Sequence, residues 1–92
     1  MAKVTVVLRP YLGGFAGGEG QIECAGATLA EVLAGLGERY PLLAQHVLAL
    51  GGGVHPAIAV YYNSLRLKLP KELHQPLADG DVIRLIPLMG GG

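Results

Sequence analysis

Leu77-Ala78-Asp79-Gly80-Asp81-Val82-Ile83-Arg84-Leu85-Ile86-Pro87-Leu88-Met89-Gly90-Gly91-Gly92 closes the sequence. It divides into three pieces with different physical demands. Asp79-Gly80-Asp81 is turn chemistry, because glycine adopts backbone angles closed to other residues and aspartates bond their own neighbouring amides. Val82 to Leu88 reads as a strand, with Ile83 and Leu85 on one face and Arg84, Ile86 and Leu88 on the other. Three glycines follow. With no side chains they form a thin rod, roughly 10 Å at full reach, that can enter a channel too narrow for any other residue. Glycines at a chain end carry little weight alone. Directly behind an apolar strand they define a body that can offer the Gly92 carboxylate to another protein's active site.

The rest of the chain supplies that body. Residues 3–9 alternate, with Val4, Val6 and Leu8 sharing one face, and Pro10 stops the strand. Gly13, Gly14, Gly17, Gly18 and Gly20 predict a loose glycine-rich turn. Gln21 to Cys24 resume the alternation with Ile22 and Cys24 inward, so the pair reads as a β-hairpin with a long loop. Thr28-Leu29-Ala30-Glu31 fits a capping box, in which Thr28 caps a helix and Glu31 reaches back. Leu29, Val32, Leu33, Leu36 and Tyr40 recur at helical spacing, and Pro41 ends the helix near Tyr40. Leu42 to Leu48 predicts a further short helical turn, and Gly51 to Gly53 a loop.

Ile58, Val60 and Tyr62 form the inward side of a third strand. Asn63-Ser64 predicts a turn into a short strand around Leu65 to Lys68, while Pro70 to Leu77 reads as irregular. The expected architecture is α+β: a mixed sheet of four to five strands with one main helix across one face, since each apolar face needs a cover. One domain over residues 1–89 and a flexible tail over 90–92 account for the whole chain.

Composition excludes several functions. Seven basic and seven acidic side chains give a net charge of zero, so there is no cationic excess to neutralise phosphates, and nucleic acid is not expected as a partner. The charged fraction of 15% is below the roughly 25% of an ordinary domain, which favours apolar surface used for docking. The lone Cys24 cannot form an internal disulfide, and the N-terminal apolar stretch is too short for a signal peptide; a reducing, cytoplasmic setting with no membrane is expected. Gly13 to Gly20 lacks the Gly-Lys-Ser/Thr ending of a phosphate-binding loop and leads into a strand. His46, His55 and His74 have no metal-ligand spacing. Cys24 lies beside Ile22 on an inward face without cationic help, so it reads as a small core residue.

The chain resembles the MoaD/ThiS family of β-grasp, ubiquitin-like sulfur carriers over essentially its whole length. Leu77-Ala78-Asp79-Gly80-Asp81-Val82, Leu85-Ile86-Pro87, Gly91-Gly92 and Val60-Tyr61-Tyr62-Asn63 carry the likeness. Leu8-Arg9-Pro10 followed by glycines is similar to the MoaD-like and cysteine-biosynthesis carriers more than to the shorter thiamine type. Gly90 is a departure, since family tails often have another residue there; Gly91-Gly92 is read as the working pair and Gly90 as slack, and a chain that stops at Gly92 needs no processing.

The resemblance implies a protein co-substrate, or the small subunit of a sulfur-transferring synthase, and not an enzyme acting alone. A ubiquitin-activating-type adenylyltransferase would adenylate Gly92, and sulfur from a donor protein would convert it to a thiocarboxylate. ATP belongs to that partner, and no cofactor or metal is expected on this chain. Gly90 and Gly91 would thread the tail, while Arg84, Ile86, Leu88 and Met89 would meet partners. The acceptor implied first is a MoaE-like molybdopterin synthase large subunit, in molybdenum cofactor synthesis. A cysteine synthase is the alternative, as is conjugation of Gly92 to protein lysines as a ubiquitin-like modifier.

Overall fold

The computed structural model describes residues 1–8, 10–18, 20–49, 53–69 and 71–88. Its strands are β1 (Ala2–Leu8), β2 (Gln21–Gly26), β3 (Ile58–Tyr62), β4 (Leu65–Arg66) and β5 (Val82–Pro87). Its helices are α1 (Pro10–Gly13), α2 (Leu29–Arg39) and α3 (Pro41–Val47), with a 3-10 turn at Gly14–Ala16. The five strands form one mixed sheet in the order β2-β1-β5-β3-β4. β1 runs parallel to β5, and every other neighbouring pair is antiparallel. The strand closest to the C-terminal glycines is therefore the central one.

Period-two alternation decides what each strand buries. Val4, Val6 and Leu8 of β1, Ile22 and Cys24 of β2, Ile58 and Val60 of β3, and Ile83 and Leu85 of β5 all enter the core. Leu29, Val32, Leu33 and Leu36 on one side of α2 cover them, joined by Leu43 and Val47 of α3. Burial of such side chains is worth about 1.5–3 kcal/mol each, which is what holds a helix of this length on the sheet.

The ends of α2 follow from local chemistry. Thr28 Oγ1 accepts the Glu31 amide at 3.3 Å. Glu31 Oε1 accepts the Ala27 amide at 3.0 Å, one residue earlier than the reciprocal bond of a standard capping box. Tyr40 ends α2, its amide bonding Leu36 O at 2.9 Å, and Pro41 opens α3.

Two expectations need correction. The stretch expected as a loose turn contains α1 and the 3-10 turn, because Leu12 and Ala16 are fully buried and bring the backbone down onto the core. The strand expected over Leu65 to Lys68 pairs only at Leu65–Arg66; beyond it Leu67 turns into the core. Of the expected loop Gly51 to Gly53, only Gly53 is among the described residues, at φ +79°.

Candidate functional site: the open sheet face and the root of the tail

Helices cover one face of the sheet and leave the other open. On β5 the alternation puts Ile83 and Leu85 inside with no exposure, so Arg84 and Ile86 stand on the open face. Arg84 is exposed and Ile86 half-buried. Leu88, one residue past the strand, is 43% exposed. Three of the residues expected at a partner surface, Arg84, Ile86 and Leu88, thus follow one another from the middle of β5 to just past its end. Met89, Gly90, Gly91 and Gly92 lie outside the described residues.

The chain reaches those glycines from a fixed root. Leu8 of β1 pairs with Leu85, and Ile58 of β3 pairs with Pro87. The Leu88 amide donates to Ala57 O at 2.6 Å. β5 is thus paired on both sides as far as Leu85, and β3 and the Ala57 carbonyl hold it from there to Leu88.

Sequence reasoning missed the row that crosses the open face beside Arg84. Val7 pairs with Arg84, Arg84 with Tyr61, and Tyr61 with Arg66. A half-buried tyrosine therefore stands between two exposed arginines. One level further along, Ile86 pairs with Ala59. The signal was present as residues of four strands, but only the strand order aligns them.

The turn that launches β5 is a polar clasp. Asp79 Oδ1 accepts the Lys3 amide at 2.8 Å, and the Gly80 amide donates to Lys3 O at 2.9 Å. Asp81 Oδ2 accepts the Ala78 amide at 2.8 Å, while Asp81 Oδ1 accepts Asn63 Nδ2 at 3.0 Å. These bonds, from the Asn63 side chain first, then from the Ala78 amide and the Tyr62 hydroxyl, hold the Asp81 carboxyl below its ordinary pKa. The same contact with Asp81 raises the Tyr62 hydroxyl. The Leu77-to-Val82 motif is accordingly scaffolding.

Other candidates remain structural. Cys24 is buried, and burial raises its thiol, with the Arg39 charge pulling the other way. Arg39 Nη1 donates to Glu23 O at 2.8 Å on strand β2. The His46 ring stacks on Phe15 with centroids 3.9 Å apart, and His55 Nδ1 accepts the Ala57 amide at 3.0 Å. Among the described residues no three His, Cys, Asp or Glu side chains are grouped to hold a metal ion. No described helix is long and apolar enough to cross a membrane.

One main helix across a mixed five-stranded sheet, with the C-terminal strand at its centre, defines a β-grasp, ubiquitin-like protein. Within that class the chain belongs to the ThiS family, whose model matches residues 7–92. The sulfur carrier protein CysO of Mycobacterium tuberculosis is 25% identical over 91 residues, covering 97% of this chain and 94% of its own. Small archaeal modifier protein 1 of Methanosarcina acetivorans superposes with a TM-score of 0.86 at 26% identity, covering 100% of this chain and 98% of that one. A chain of the Amycolatopsis orientalis BexX/CysO complex gives 0.84 at 28% identity, covering 97% and 99%. The family is thus one of sulfur carriers and ubiquitin-like modifiers.

Proposed function

We propose that this protein is a cytoplasmic sulfur carrier whose Gly92 carboxylate is adenylated by a ubiquitin-activating-type enzyme and converted to a thiocarboxylate. The observation that carries this reading is the anchored root of the tail: central strand β5, paired on both sides and tied through Leu88 to Ala57 O. A carboxylate is a poor electrophile. Attack of its oxygen on the α-phosphorus of ATP releases pyrophosphate and gives an acyl-adenylate with a good leaving group. A sulfur nucleophile then adds to the acyl carbon and expels AMP. The carrier contributes position, which can amount to several kcal/mol of barrier when reacting atoms are held in line. It binds no ATP itself, and Gly90 and Gly91 would thread the partner's channel.

Arg84, Ile86, Leu88 and Met89 would form the contact with the activating enzyme and then with the acceptor. The likeness to CysO supports cysteine synthesis as the destination. None of the three relatives described above is named for molybdopterin, so that destination rests on the sequence resemblance alone. The likeness to the archaeal modifier supports a second reading, conjugation of Gly92 to lysines of other proteins.

Intact mass measured after incubation with ATP, a sulfur source and the activating enzyme tests the proposal. The expected result is a gain equal to replacing one oxygen by sulfur, abolished by deleting Gly91 and Gly92. An unchanged mass, with Gly92 found in isopeptide linkage in extracts, would replace the carrier by the modifier.

A further inference from the structure

We propose that the open sheet face is a receptor for an acidic protein surface, read by Arg84 and Arg66 from either side of Tyr61. The inference rests on the carrier reading, because the partner is the enzyme that adenylates Gly92. Register places the three side chains in one row: Arg84 opposite Tyr61, and Tyr61 opposite Arg66. Adjacent strands are about 4.8 Å apart, so the arginines stand roughly 10 Å from each other. Both are exposed, and neither meets a carboxylate among the described residues. Lys3 is exposed on the same face of β1, two same-face positions from Val7, and the acidic Glu23 pairs with Thr5 on the edge strand β2, two strands from Arg84. Two cations, Arg84 and Arg66, therefore flank Tyr61, with Val7 beside Arg84 in the same row and Ile86 one level further toward Leu88.

Charge complementarity selects the occupant. The surface asks for carboxylates on either side of an apolar seat for the tyrosine ring, reached by two arginines whose strands lie roughly 10 Å apart. Arginine suits such a site because its planar fork takes a carboxylate through two parallel bonds. A polyphosphate chain is a poorer match: the molecule has zero net charge, and counterion release needs a run of cations. The arginines would guide the encounter, while the apolar strip supplies the dry contact that holds the body as the tail reaches for ATP.

The test measures ATP–pyrophosphate exchange by the activating enzyme as a function of carrier concentration, for the wild type, Arg66→Glu/Arg84→Glu, and Arg66→Lys/Arg84→Lys. Thermal melts check that each variant is folded. The expected result is a KM raised about tenfold or more by the double glutamate variant, with kcat nearly unchanged, a flattened salt dependence, and partial recovery with lysine. A KM within about twofold of wild type overturns the acidic receptor and leaves the carrier reading standing. No exchange with the wild-type chain, by an enzyme active on its own carrier, overturns both. Arginine-dependent binding of a single-stranded oligonucleotide, or a dimer in sedimentation that the glutamate variant abolishes, gives the face to nucleic acid or to a second copy and overturns the proposal.

Discussion

The side chain of Asn63 bonds in two directions: Nδ2 donates to Asp81 Oδ1 at 3.0 Å, and Oδ1 accepts the Val82 amide at 2.8 Å. The Asn63 amide also donates to Val82 O at 2.9 Å. One asparagine thus joins the β3–β4 turn to the first residue of β5, the strand that carries the tail. Asp81 completes the link toward β1, since its carbonyl accepts the Thr5 amide at 3.0 Å.

Acid should loosen this joint. The Asp81 carboxyl is held below its ordinary pKa, so it is charged more readily in the folded protein than in the unfolded one. Its contribution is therefore complete above the usual carboxylate range and is lost as pH falls through the folded value. Thermal melts of the wild type should show a stability loss on acidification that is smaller in Asp81→Asn. At neutral pH that variant should be less stable by about 0.5–1 kcal/mol, because the group is largely solvated. Parallel melting curves for both proteins across the acid range would remove Asp81 from the explanation.

The turn before this joint stores backbone strain at a serine. Asn63 has φ +49° and Ser64 φ +84°, the left-handed pair of a two-residue hairpin that prefers Asn-Gly. Ser64→Gly should stabilise the protein by about 0.5–1 kcal/mol, since glycine meets no Cβ penalty there. Urea denaturation would read the change as a higher midpoint at unchanged slope. A lower midpoint would mean that the serine side chain contributes something that outweighs the strain.

Two glycines should respond in opposite ways to alanine. At Gly26, where β2 passes under the start of α2, a Cβ would lie 2.9 Å from Val32 Cγ2 and 3.0 Å from the Val32 amide nitrogen. The backbone cannot yield cheaply, so Gly26→Ala should cost about 1–3 kcal/mol. At Gly35, inside α2, nothing lies within 4 Å of the added methyl. Gly35→Ala should gain about 0.4–1 kcal/mol by restricting the unfolded chain. Equilibrium unfolding of the two variants side by side checks both signs.

Local periodicity carried much of this fold. Thr28 and Pro41 bracket α2, and alternation assigns the inner faces of β1, β2, β3 and β5, because those signals live within a few neighbouring residues. The parallel pairing of β1 with β5 is different: it joins the two ends of the chain through contacts that no local pattern encodes. The β3–β5 pairing is equally non-local, so the face of β5 that carries Arg84 and Ile86 was legible, while Tyr61 and Arg66 beside Arg84 were not. Leu12 and Ala16 were hidden for another reason. Their glycine neighbours carry a turn signal, and the burial of two small stretches of apolar surface overrides it.

Leu88 offers a test of docking just beyond the last strand. Its side chain is 43% exposed, so it offers a partner apolar surface while the rest of it packs on the protein. Its anchoring bond to Ala57 O is made by the backbone amide and survives substitution. Leu88→Ser should therefore lower stability by about 1–2 kcal/mol, the worth of its covered apolar surface, and leave the fold intact. If Leu88 seats the carrier on its activating enzyme, the same change should raise KM for the carrier about 5- to 30-fold, the effect of losing roughly 1–2 kcal/mol at an interface contact. Once the enzyme is saturated, kcat should be close to wild type, because the tail still leaves the sheet from the same anchored point. Leu88→Met, which keeps an apolar side chain, should restore most of the affinity. A wild-type KM for Leu88→Ser would move the docking contact away from the end of β5. An equal fall in kcat and kcat/KM would instead mean that Leu88 aims the tail in the transition state.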